Sequence, residues 1–299
     1  MKIAVFGLPL AALLLARDGH EVVFAVLSPV AAPGERRLTR LLGDQRVVSA
    51  AREEPSARVE ALFDEHGPDL VVSWFWTRKL PIEWLARAPA IGVHPSLLPR
   101  HRGPNPFFWA IDAGDPLTGV SVHRLESEYD AGEVLEQRTL PVAEMDSWQL
   151  ARALDRPSLA ALRDVVTRIS KGEVLRGRAQ DPAQVSWAPE PDGPLLRVDW
   201  AWPTDRVLRR IRALSPDPGL AVEVRDTPLF VTRAEAAKDF PSALEAGEAA
   251  LWGEPLHLVI RTGDGAIRVN RATLAENDQI LSGKEVVHAI ASRKDVVLD

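Results

Sequence analysis

The chain opens MKIAVFGLPLAALLLARDGHEVVFAVL, two continuous apolar runs separated by a helical stretch. Residues 2–6 and 21–27 show no alternation of apolar with polar side chains, so both faces of each strand are expected to be buried. Strands of that kind belong to a parallel sheet with helices on both sides, because a crossover is needed to start each parallel neighbour. The helix of residues 9–18 supplies the first crossover. The rhythm continues with a helical stretch at 56–66, a strand at 69–73, a short helix near 81–87 and a strand at 90–93. A helix near 106–113 follows, then two alternating runs, 118–125 and 133–142, that pattern as an antiparallel pair across the polar loop 126–132. A long helix from about 147 to 171 closes this part. The fold class expected over residues 1–180 is therefore α/β, with a Rossmann-like, mainly parallel sheet. DPAQVSWAPEPDGP, residues 181–194, holds four prolines and no periodicity, which predicts a linker over 181–203. Residues 204–299 begin with a helix at 204–213 and continue as short strands near 220–225, 228–234, 256–261 and 266–271, the pattern of a small β-barrel or sandwich.

Length and composition narrow the chemistry. At 299 residues the chain exceeds the usual single domain, in keeping with the two-domain reading. It has no cysteine, which excludes disulfides, thiolate zinc sites and a thiol nucleophile. The N-terminal apolar run is broken by Gly7 and Pro9 and ends in Arg17 and Asp18, so it reads as folded domain and not as a signal peptide. No stretch reaches the roughly 20 apolar residues that span a bilayer, and a cytoplasmic protein with no membrane partner is expected. The net charge is −6, and residues 181–299 hold 14 Lys and Arg against 19 Asp and Glu, a balance of −5. That acidity argues against a surface devoted to nucleic acid.

Dinucleotide and P-loop chemistry find no support. The first turn, Gly7-Leu8-Pro9-Leu10, lacks the glycine spacing that lets backbone approach a pyrophosphate, and there is no Walker motif and no His-Glu-x-x-His metal motif. Attention falls on IGVHPSLLPRHRGPNP, residues 91–106, where His94 stands at the carboxyl end of a strand, the place where open α/β sheets bind ligands. A lone histidine there is most simply structural. Asp130, in the polar loop YDAGEVL, shifts that balance, because a carboxylate holds an imidazole in one tautomer and one orientation. His123, inside an alternating strand, and His101, in a basic loop, are weaker candidates. Arg100 and Arg102 suit an anion, although a charged loop is more often solvated.

His94-Pro95-Ser96-Leu97-Leu98-Pro99, then Arg102-Gly103-Pro104 and Pro106, Thr118-Gly119-Val120 and Asp130-Ala131-Gly132 together resemble the signature of the folate-dependent formyltransferases. PDLVVSWFWTRKLP (68–81) is similar to the family's pterin-pocket strand and loop. LLRVDWAWPTDRVLRRIRALSPDPGLAVEV and the final GDGAIRVNRATLAENDQILSGKEVV look like the C-terminal domain of the branch that formylates methionyl-tRNA. The resemblance implies an OB-like C-terminal barrel, 10-formyltetrahydrofolate or another tetrahydrofolate derivative as donor, no metal, and an amine acceptor. It implies His94 and Asp130 as the catalytic pair. It places the folate against Phe75, Trp76, Leu80, Ser96, Leu97, Leu98, Pro99, Arg102, Gly103, Glu126 and Tyr129.

The family pattern is Asn-x-His, and here the asparagine position is Gly92. Losing one oxyanion donor typically costs about 10²–10³ in rate. Another donor such as Asn105, or the substrate, replaces the amide in one account; in a second the glycine makes room for a bulkier acceptor. In a third the chain binds folate without transfer. In a fourth it moves a methylene or hydroxymethyl unit, which generates no comparable oxyanion and needs the asparagine less. Glycine at a tight strand end is the plainest explanation of the residue, and it leaves the chemistry open. The acidic C-terminal domain and a shortened stretch around PGERRLTRLLG weigh against tRNA and favour a small or carrier-bound amine as acceptor, with methionyl-tRNA as the alternative.

Overall fold

The computed structural model describes residues 1–51 and 56–292. These divide into two compact units: the first comprises residues 1–106, 118–141 and 153–188, the second residues 107–117, 142–152 and Pro189 onward.

In the first unit, β1 (Lys2–Gly7), α1 (Pro9–Arg17) and β2 (Glu21–Leu27) form the expected β-α-β opening. Then come α2 (Glu35–Leu42), β3 (Val47–Ser49), α3 (Ser56–His66), β4 (Leu70–Trp74), α4 (Ile82–Leu85) and β5 (Ala90–His94). Along the chain α5 (Pro106–Asp112), which beyond Pro106 belongs to the second unit, precedes β6 (Leu117–Arg124) and β7 (Val134–Pro141), and α6 (Ser147–Ser170), which is part of the first unit from Ala153, follows. The seven strands form one sheet in the order β3-β2-β1-β4-β5-β6-β7. Pairing is parallel from β3 through β5, and β6 joins β5 antiparallel, with Gly92 opposite His123 and His94 opposite Ser121.

The continuous apolar runs are buried from end to end, as their lack of alternation predicts. On one face an aromatic cluster closes the core: the Phe6 ring lies 5.6 Å from Trp84 and 5.7 Å from Trp76, with Phe24 and Phe63 against it. β6 departs from expectation. It reads as alternating, yet Thr118 through His123 are all buried, because the strand lies inside the sheet between β5 and β7. Its polar residues are therefore interior groups that require partners.

In the second unit, α7 (Thr204–Ala213) leads into β8 (Leu220–Val224), β9 (Thr227–Ala236), β10 (Ala249–Trp252), β11 (His257–Arg261), β12 (Ala266–Leu274) and β13 (Gln279–Ser282), and α8 (Gly283–Ser292) comes last. The strands make a curled antiparallel half-barrel in the order β10-β11-β12-β9-β8, with β13 added on β12. Asp112 is buried here between Arg206 and Arg210, which grip both carboxylate oxygens. Burial pushes its carboxyl up, and the two guanidinium groups more than offset that and hold it below the usual carboxylate range. The stretch read as a linker, 181–203, passes from the first unit to the second at Ala188 and Pro189. Before that point Ser186 and Ala188 exchange backbone hydrogen bonds with Arg102 and Asn105.

Candidate active site

His94 is the last residue of β5, so the sheet carries it to the carboxyl edge and buries it there. Its Nε2 donates to the His101 carbonyl at 2.7 Å, and its Nδ1 lies 3.4 Å from Asp130 Oδ2. Asp130 sits between β6 and β7 at φ 53°, a left-handed conformation that turns the side chain back toward the strand ends. The Gly103 N–H donates to Asp130 Oδ2 at 3.0 Å. Gly103 has φ 117°, and a side chain there would press on the Ala188 carbonyl at 3.1 Å, so glycine is needed for this backbone donor to reach.

The other oxygen of Asp130, Oδ1, lies 3.5 Å from Nε2 of His123. His123 Nδ1 donates to the Arg124 carbonyl at 2.8 Å. Carbonyls only accept, so both imidazoles have their outer N–H fixed by backbone and turn the remaining nitrogen to one carboxylate. Burial pulls His123 down to about 4, against the opposing pull of Asp130, so its ring is neutral at neutral pH.

The loop after β5 is pinned from below. Ser121 Oγ donates to the Ser96 carbonyl at 2.7 Å and accepts the Leu98 N–H at 3.0 Å, while Gln137 Nε2 donates to the Leu98 carbonyl at 3.0 Å. Ser96, Leu98 and Pro99 are buried as a result, and Leu97 is half-buried. Arg102, in a loop whose charge suggested solvation, is buried: its Nε and Nη2 donate to Gln180 Oε1 at 3.1 and 2.8 Å. Gln180 in turn donates to the carbonyls of Asp130 and Gly132 at 2.7 and 2.8 Å, which ties Arg102 to the aspartate loop. His101 is likewise buried and not solvated, and His123, the weaker candidate, stands beside His94 against the same carboxylate. Gln180 was invisible to motif reasoning because it lies 50 residues from the loop it holds. The buried polar positions of β6 are the signal that points to His123.

The two loops assigned to the folate also meet. Lys79 Nζ lies 5.7 Å from the Tyr129 ring centroid, joining the segment after β4 to the segment before Asp130. Phe75 stands at φ 56° with its carbonyl held by Ser28 Oγ at 2.6 Å. Trp76 Nε1 is buried with no hydrogen-bond partner among the described residues. Leu80 packs into the aromatic core, and Glu126 is exposed. At Gly92 an added Cβ would come 2.6 Å from Leu125 Cδ2 and 3.3 Å from His123 Nε2. The space in front of residue 92 is thus already taken by two neighbours from the β6 side. Among the described residues no group of three or more His, Cys, Asp or Glu is placed to hold a metal ion, and no helix is long and apolar enough to cross a membrane.

Comparison with known proteins places the chain in a family. Residues 3–166 match the formyl transferase family, and residues 195–289 match the formyl transferase C-terminal domain. A methionyl-tRNA formyltransferase of Anaeromyxobacter dehalogenans is 32% identical over 292 residues, covering 92% of this chain and 92% of its own. The structure of HypX from Aquifex aeolicus in complex with tetrahydrofolic acid superposes with a TM-score of 0.68 at 23% identity, covering 96% of this chain and 47% of that one. An N-formyltransferase from Helicobacter canadensis, in complex with folinic acid and dTDP-3-aminofucose, gives 0.66 at 13% identity, covering 90% of this chain and 98% of that one. The likeness to the two solved structures is one of fold. By the family matches, which together span both units, the chain belongs to the folate-dependent formyltransferase family of enzymes.

Proposed function

We propose that this chain transfers a formyl group from 10-formyltetrahydrofolate to the amine of a small or carrier-bound acceptor. The observation that carries the reading is the juxtaposition of His94 and Asp130 at the carboxyl edge of β5, 3.4 Å apart and largely buried, with 16% of the Asp130 side chain's surface open. The residues fit a folate: Trp76 brings a buried N–H lacking an acceptor, and the loops through Phe75 and Tyr129 approach one another at Lys79. Phe75, Trp76, Leu97, Arg102, Gly103 and Tyr129 would line its site, and when bound it supplies the activated formyl carbon.

The chain's own groups then do three things. Asp130, fixed by the Gly103 N–H, takes the proton that the acceptor amine must shed as its nitrogen bonds to carbon. His94, fixed by the His101 carbonyl, shares that proton. The pinned loop 95–102 keeps both in place while excluding water. A second reading, with methionyl-tRNA as acceptor, is favoured by the methionyl-tRNA formyltransferase relative that matches 92% of this chain. Incubation with 10-formyltetrahydrofolate and a panel of amino sugars and other primary amines, read by mass spectrometry, is expected to show an acceptor heavier by one formyl group. Folate binding without transfer to any acceptor would overturn the reading.

A further inference from the structure

Two imidazoles and one carboxylate stand in line, and their hydrogen bonds leave a definite proton inventory. His94 and His123 each spend an N–H on a backbone carbonyl. What they turn to Asp130 is, in the neutral rings, a bare nitrogen, and an ionised carboxylate also only accepts. With no proton among them the line would set lone pairs against each other at 3.4 and 3.5 Å in a buried place, which is unfavourable. A proton delivered to Asp130 therefore finds an acceptor waiting at Nε2 of His123.

We propose that His123 is a positioning residue of this site: its bare Nε2 faces Asp130 Oδ1 and so fixes where a proton taken up by Asp130 rests, on Oδ1. Burial supports this assignment by keeping His123 neutral. The charged and titratable groups around it are Asp130, His94 and Arg102, together with Arg124, whose own guanidinium is engaged by Glu133 at 3.3 Å and the Leu175 carbonyl at 2.9 Å. Gly92 belongs to the same device. It lies opposite His123 in the β5–β6 pairing, and a side chain there would push on Nε2 and on Leu125.

The consequence rests on the formyl-transfer reading. As the amine nitrogen bonds to the formyl carbon, its proton moves to the line. As the bond from carbon to the donor nitrogen breaks, with its electron pair going to that nitrogen, the proton moves on to it, and the enzyme returns to its starting state. An acceptor at Nε2 gives an O–H on Asp130 Oδ1 a partner during that interval.

Ring-nitrogen NMR of the ligand-free protein tests the placement independently of any activity. His123 is expected to stay neutral and protonated on Nδ1 from pH 8 down to about 5; a proton on Nε2, or a charged ring at neutral pH, overturns the proposal. In the transfer assay His123→Leu removes the acceptor and His123→Gln keeps a neutral one. The Leu variant is expected to move the pH–rate limb that reports the shared proton down by about half to one pH unit, the equivalent of one neutral hydrogen bond, while the Gln variant stays near wild type. Coincident profiles for wild type and the Leu variant overturn it. If wild type transfers nothing, the functional reading fails and the NMR result still decides the proton placement.

Discussion

His94 was legible in the sequence because a histidine at the end of a buried strand has few places to go, and Asp130 because a turn that returns to the sheet carries its residues to the same edge. His123 was not. Alternation suggested that β6 has a wet face, but the strand is interior, and the imidazole is buried beside a carboxylate. Its burial has a pH signature. The folded ring titrates at about 4 against 6.5 for a free histidine, so between those values the unfolded chain binds the extra proton. The contribution of His123 to stability is thus fully present above about pH 6.5 and is lost as pH falls toward 4. Urea midpoints measured from pH 8 to 4.5 should fall through that window in wild type, and the slope should flatten in His123→Gln.

At the scale of elements, the apolar runs of β1, β2, β4 and β5 announced a parallel sheet, since only burial on both faces tolerates such runs. Short pieces escaped notice: α2, β3, β10 and β13 have no more than eight residues each, too few for a period to declare itself. The pairing of β6 with β7 was expected, but how closely the two strands approach at Gly119 was not. A Cβ at Gly119 would lie 2.0 Å from the Arg138 carbonyl, so the strands meet only because residue 119 has no side chain. Gly119→Ala is expected to lower stability by roughly 2 kcal/mol or more, in the range of changes that force strands apart. An unchanged urea midpoint would show that the sheet yields there at no cost.

The charge of the whole molecule bears on the acceptor. The acidic excess of residues 181–299 was readable from counting, but the use of its arginines was not. Arg206 and Arg210 are spent on Asp112, Arg209 on Asp205, Arg212 on Glu144 and Arg268 on Glu235, which leaves fewer cations for phosphates. A salt titration of tRNA binding is expected to show only weak binding even at low ionic strength; tight binding that falls steeply with salt would favour the tRNA reading. The central claim, that Asp130 handles the amine's proton in formyl transfer, is tested most directly by Asp130→Asn, assayed for transfer rate and folate affinity together. The rate is expected to fall about 10²–10⁴-fold with affinity little changed. A variant that keeps the wild-type rate would contradict the account.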